Sequence, residues 1–287
     1  SKQIPADFDV LENDSKTDFD YIHYTIGESD VYYVSNQTRG RQKIHARFRV
    51  SGKQPELWDA LTGEIQQARA FTRADGLTTI PLTLEPYGAV MVIFSRKIPV
   101  EKQGTVQRNY SDFETLAEIS GAWTVSFDPE WGGPASVVFS ELMDWSQHPE
   151  EGIRYYSGAA VYKKGFTWES EPGEAETYFL RLGSVKDVGI AEVKINGTDR
   201  GILWTPPFRV EITGELQKGE NSLEIKVVNS WYNRVAGDQT FPDKKQYTST
   251  NIVLKHDYLG RPIDEIPLEP SGLLGPVTIE VPAAIKK

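Results

Sequence analysis

Residues 229–239 read NSWYNRVAGDQ, a dense set of polar and aromatic side chains that ends the strand-like run LEIKVV. Trp231 offers an aromatic face to the C–H surface of a sugar ring, and Asn233, Arg234 and Asp238 offer donors and acceptors that fix hydroxyls. Arg234 and Asp238 are also close enough in sequence to form a local ion pair. Three readings stay open for this strand end: a polar corner that holds a loop or an interdomain contact, then a sugar contact, then catalysis. Trp131 in DPEWGGP and Trp145 in LMDWSQHP lie in polar, turn-rich surroundings. Each is a candidate sugar platform, with packing as the plainer alternative. Trp123 and Trp168 sit within alternating strands and are expected in the core.

Catalysis finds little support in the residue types. Glycoside hydrolysis needs two carboxyl groups roughly 5 to 9.5 Å apart across the scissile bond. The clusters Glu150-Glu151 and Asp264-Glu265 have turn-forming neighbours, as solvated acidic residues do. The four histidines, His23, His45, His148 and His256, have no nucleophilic Ser in a G-x-S-x-G context as a partner. His45 alternates with Arg47 and Arg49 along one strand, which suits a solvated or interface face better than a metal site. No catalytic residue and no metal ligand is assigned.

The elements that must position these groups are strands. Short runs rich in Val, Ile, Tyr, Phe and Thr alternate with Gly, Pro, Asn and Asp turns, so the chain is expected to be all-β. Residues 30–37, 43–52, 78–84 and 88–96 suit a small antiparallel β-sandwich over 1–100. A polar stretch, 101–112, reads as a linker. Strand-like runs at 123–127, 135–140, 157–168, 176–185, 190–197, 208–213 and 221–231 then suit a larger jelly-roll β-sandwich over 113–287. Only 111–119 and 140–147 look helical. Asn196-Gly197 supplies the positive φ angles of a tight hairpin, and Gly219-Glu220-Asn221 does similar work before the last long strand.

Composition narrows the partners. The 287 residues carry a net charge of -10, with 12 Lys and Arg against 13 Asp and Glu in residues 1–100 and 19 against 28 beyond. That surface repels phosphate backbones and no basic stripe offsets it, so nucleic acid is not an expected partner. No run approaches the roughly 18 to 20 apolar residues of a membrane span. The absence of Cys excludes disulfides, thiolate metal sites and thiol nucleophiles, and fits a bacterial exported protein. The opening SKQIPADF, with neither an initiator Met nor a signal segment, points to a fragment or processed product. Asn13, Asn36, Asn109 and Asn196 each open an N-x-[ST] sequon, read as chance occurrences.

The stretch from Phe179 through Val-Lys-Ile-Asn-Gly, Trp204-Thr-Pro-Pro, FRVEIT and GENSLEIKVVN resembles the galactose-binding-like jelly roll of glycoside hydrolases, of the family 2 sugar-binding type. In the first region, Asp30–Asn36 (DVYYVSN), Pro55–Gly63 (PELWDALTG) and, further on, Asn229–Asp238 (NSWYNRVAGD) follow in the order of motifs found in family 106 α-L-rhamnosidases. Tyr33 stands where that family has Phe, and Val235 where it has Leu. Tyr24 follows His23 where the family pattern has Arg, which puts any contact of that Arg in doubt.

The resemblance implies the noncatalytic, C-terminal accessory or carbohydrate-binding region of an α-L-rhamnosidase-like enzyme acting on plant-type polysaccharide, periplasmic or extracellular in a bacterium. Its partners would be a glycan and a preceding catalytic domain of the same protein, with no membrane. The catalytic carboxylates of the family have no matching positions here. No cofactor is expected, although such jelly rolls often hold a structural Ca²⁺. Two alternatives stand beside this reading: a free-standing carbohydrate-binding module, and a structural β-sandwich pair without glycan affinity.

Overall fold

The computed structural model describes residues 5–11, 18–173, 176–186, 189–254, 262 and 267–283. Asn13, His256 and the pair Asp264-Glu265 lie outside the described residues. The chain divides into two compact units, Ser1–Asp112 with Ala283–Lys287, and Phe113–Pro282.

Among the described residues the first unit holds nine strands: β1 (Phe8–Leu11), β2 (Phe19–Ile26), β3 (Ser29–Asn36), β4 (Gln42–Phe48), β5 (Lys53–Trp58), β6 (Ile65–Gln67), β7 (Thr72–Ala74), β8 (Leu77–Leu84) and β9 (Ala89–Lys97). They form antiparallel sheets in the orders β2-β3-β9-β5-β6 and β1-β4-β8-β7. Strand β8, LTTIPLTL, shows the reason: Thr78, Ile80, Leu82 and Leu84 are buried while their neighbours are only partly so, the period-2 signature of a sheet with one face in a core. Tyr32, Val34, Ala46, Phe48, Val92 and Phe94 complete that core. Asp75 and Gly76, both at positive φ, close the two-residue hairpin between β7 and β8. Residues 101–112, expected as a linker, belong to this unit: the Gly104 N–H donates to the Phe71 carbonyl, and buried Asn109 accepts from the Arg69 and Ala70 N–H groups. The sequon asparagine Asn36 is likewise buried, its amide donating to the Gly40 and Glu85 carbonyls and its Oδ1 accepting from Thr38.

The second unit is a larger sandwich. One sheet has the order β12 (Val137–Phe139), β11 (Trp123–Ser126), β13 (Ala159–Trp168), β19 (Gly219–Val228), β16 (Ile190–Ile195), β17 (Thr198–Leu203). The other runs β10 (Phe113–Glu118), β21 (Thr278–Pro282), β14 (Phe179–Arg181), β18 (Arg209–Glu211), with a separate pair, β15 (Ser184–Lys186) and β20 (Gly272–Gly275). Trp123, Val125, Tyr162, Leu180, Val193, Ile195, Ile225, Val227 and Ile279 fill the space between. Trp168 packs against this core, 5.9 Å from the Tyr178 ring. Asn196 and Gly197, at φ 50 and 81, make the expected hairpin between β16 and β17, and Gly219 is at φ 90. Asn221 locks the same corner, accepting from the Asn196 amide at 2.8 Å.

Four local expectations are corrected. Residues 113–118 form β10 rather than a helix, paired with β21 from Phe113↔Pro282 to Glu118↔Thr278; pairing overrides the helical preference of Glu, Leu and Ala. Residues 140–147 contain only the 3₁₀ turn Trp145–Gln147. Most consequentially, the strand end at 229–239 is a helix, α2 (Tyr232–Thr240), with Asn233 through Asp238 all buried. Asn, Val and Gly are weak helix formers, so tertiary contacts hold it. A shorter helix, α1 (Glu151–Arg154), occupies the acidic cluster expected in a loop.

Candidate functional site

The β19–α2 corner is a buried polar lock built from side chains that satisfy backbone groups. Asn229 accepts from the Gly158 N–H at 2.9 Å and donates to the Tyr156 carbonyl at 3.0 Å. Asn233, one helical turn on, donates to the Glu269 carbonyl at 2.8 Å and accepts from the Glu269 N–H at 2.9 Å. Both amides also donate to Ser271 Oγ at 3.1 Å. Asp238 Oδ2 accepts from the Tyr247 N–H, the Thr248 N–H and the Thr248 hydroxyl at 2.9, 2.7 and 2.8 Å, fastening the segment that follows α2. The expected Arg234–Asp238 pair is present, Nε to Oδ1 at 3.1 Å, with side chains 8% and 3% exposed. It is a charge contact without an aligned hydrogen bond at either atom. Asn233 and Asp238 Oδ2 thus direct their polar atoms at groups of the fold.

The three candidate tryptophans part company. Trp145 is 0% exposed, against the expectation of a sugar platform. Its indole Nε1 donates to the Tyr162 hydroxyl at 2.6 Å, and its ring packs against Phe127 and Tyr156. Burial pushes the Tyr162 phenol well above its usual range. Trp131 and Trp231, 37% and 47% exposed, meet edge to face with centroids 4.9 Å apart and planes at 72°. They line a cleft of about 380 Å³ with Val235, Tyr247, Thr250 and Ile252, the apolar and aromatic lining with a few hydroxyls that suits sugar binding.

A second cleft, about 330 Å³, adjoins it through Tyr247 and is lined by Tyr155, Phe241, Gly132, Gly237 and five charged residues, Glu151, Arg234, Asp238, Lys244 and Lys245. Lys244 Nζ lies 2.5 Å from Glu151 Oε2. Arg234 Cζ and Lys245 Nζ lie 4.7 and 4.6 Å from the Tyr247 ring centroid, cation–π distances. Lys244, Lys245 and Tyr247 escaped sequence reasoning, although FPDKKQY, two cations beside an aromatic just after the motif, was the signal.

In the first unit, His23 Nδ1 is 2.9 Å from Asp7 and its Nε2 3.4 Å from Asp30, with Lys53 on Asp30 at 2.7 Å and Arg49 on Asp7 at 3.2 Å. Arg47 pairs with Asp9, so β4 presents ion pairs beside His45. His148 stacks on Phe139, and its burial holds the imidazole below the usual histidine value. Among the described residues, no group of three or more His, Asp and Glu is arranged to hold a metal, and no helix is long and apolar enough to cross a membrane.

Comparison with known proteins places the chain. A family model described as alpha-L-rhamnosidase, glycoside hydrolase family 106, matches residues 1–73. The structure superposes on the rhamnosidase from Novosphingobium sp. PP1Y with a TM-score of 0.80 at 35% identity, over 96% of this chain and 25% of that one. A Formosa agariphila protein named "Putative beta-glucuronidase" is 38% identical over 180 residues, 57% of this chain and 15% of its own length. The chain thus spans a quarter or less of the length of these two proteins. It is an all-β region that resembles part of the family 106 α-L-rhamnosidases.

Proposed function

We propose that this chain is a noncatalytic accessory region that holds glycan for a rhamnosidase-like glycoside hydrolase acting on plant-type polysaccharide outside the bacterial cytoplasm. The observation that carries the reading is the half-exposed, edge-to-face pair Trp131–Trp231 over its cleft. A monomeric domain gains nothing in stability by leaving two indoles half in water, whereas their faces suit sugar C–H surfaces. The partner in this reading is the catalytic part of a longer protein. The outer face of the five-stranded sheet suits such a partner: Ile22, Tyr33, Met91, Trp58 and Ile65 stand in register across β2, β3, β9, β5 and β6, and Ile22 and Ile65 are more than half exposed.

Calorimetric titration of the 287-residue chain with neutral rhamnose-containing oligosaccharides tests the binding reading. Heat that vanishes in Trp231→Ala is the expected result. No heat with any glycan favours the purely structural alternative. Hydrolysis of an aryl α-L-rhamnoside by this chain alone would overturn the noncatalytic reading.

A further inference from the structure

The cleft beside α2 carries chemistry that a neutral sugar does not need. Its lining holds three cations, Arg234, Lys244 and Lys245, against two carboxylates, Glu151 and Asp238, an excess of one positive charge in a chain of net charge -10. Lys244 is taken by Glu151. Lys245 pairs with no carboxylate among the described residues and leans on the Tyr247 ring. Arg234 is more than nine-tenths buried, yet its Nε finds no aligned hydrogen-bond acceptor among the described residues. Asp238 Oδ1 makes only the charge contact, and Oδ2 is committed to Tyr247 and Thr248. Burying a guanidinium with an N–H that lacks an aligned acceptor is costly, and an anionic acceptor entering the cleft would offset that cost.

The walls are shaped around that group. A Cβ on Gly237 would lie 2.7 Å from Arg234 Nη2 and 2.8 Å from Tyr155, and one on Gly132 would lie 2.7 Å from Tyr247, so only glycine at both positions leaves the guanidinium and the ring where they are. We propose that this cleft is a subsite for an acidic sugar: the carboxylate of a uronic acid residue is received by Arg234 and Lys245, while the next sugar of the chain lies against Trp131 and Trp231. Tyr247 borders both clefts, so adjacent residues of one oligosaccharide reach both. A planar monoanion matches both the guanidinium fork and the single excess charge, whereas a dianionic phosphate fits the fork but exceeds that charge. The proposal rests on the reading that the Trp pair holds glycan and adds the class of glycan held.

The test is titration of the 287-residue chain with trigalacturonate and with its fully methyl-esterified form, which keeps the rings and removes the charge. The expected result is about tenfold or more weaker binding of the ester, with Lys245→Glu, an exposed position, bringing the acid down to the level of the ester. Arg234→Gln, checked for folding by circular dichroism, is expected to act likewise. Equal affinity for acid and ester, both lost in Trp231→Ala, overturns the acidic subsite and leaves the glycan-holding reading standing. A preference for the acid that survives both Lys245→Glu and Arg234→Gln overturns the assignment to this cleft. Binding of neither probe, nor of the neutral oligosaccharides, overturns the subsite and the glycan-holding reading together.

Discussion

Two polar clusters in this chain use similar residues to opposite ends. In the second unit, Asn229, Asn233 and Asp238 are buried and direct their polar atoms at backbone groups of distant segments. In the first, Asp7, His23, Asp30 and Lys53 sit at a half-wet edge and mostly pair with one another. The difference is one of desolvation. A buried group that satisfies a backbone donor cannot be removed without stranding it, whereas an ion pair within reach of water loses little when broken, because water takes its place.

The comparison can be broken by mutation, beginning where the effect is largest. Asp238→Ala strands buried Arg234 and frees the Tyr247 and Thr248 N–H groups, and is expected to cost about 3–5 kcal/mol in urea unfolding of the second unit. Asn233→Ala leaves both Glu269 backbone groups unpaired and is expected to cost about 1–3 kcal/mol. Asn36→Ala sharpens the contrast because it lies in the first unit, yet is buried with its amide in four hydrogen bonds; it should behave like Asn233→Ala, showing that burial rather than location sets the cost. Asp7→Asn is expected to cost at most about 1 kcal/mol at neutral pH.

Asp7 also carries a pH signature. Partial burial raises its pKa, but the Arg49 hydrogen bond, the charge and hydrogen bond of His23 and the Tyr32 hydroxyl outweigh it, so the carboxyl sits below its ordinary value of 3.8. A carboxylate depressed in the folded state stabilises fully above about pH 4 and loses that contribution as pH falls through the folded value. Thermal unfolding of the first unit should therefore lose stability below about pH 4 with a shallower slope in Asp7→Asn than in the parent. An unchanged slope would remove Asp7 from the account.

Much of the sandwich was legible because its signals are local. The alternation in LTTIPLTL and the Asn196-Gly197 turn are each read within a few residues, and the structure places them as expected. Helix α2 was not legible, since Asn233, Val235, Gly237 and Asp238 dilute its few helix formers and partners that hold it, Ser157, Glu269 and Ser271, lie far away in the chain. The Arg234–Asp238 pair was visible by proximity, but which of its atoms were already taken depended on Tyr247 and Thr248 arriving at Asp238.

Trp131 and Trp145 separate the two kinds of information most cleanly. Both occur in 3₁₀ turns, Pro129–Trp131 and Trp145–Gln147, each capped by an aspartate, Asp128 or Asp144, whose side chain accepts a backbone N–H two residues on. Asp and neighbouring turn formers determine that local geometry by themselves, and sequence predicts equal surroundings for the two rings. Their fates differ because Phe127, Tyr156, Tyr162 and Gly272 converge on Trp145, whereas Trp131 meets another half-exposed indole at the rim of a cleft. Burial is a property of what the rest of the chain brings to a site, and only the tertiary structure decided which tryptophan was left half-exposed.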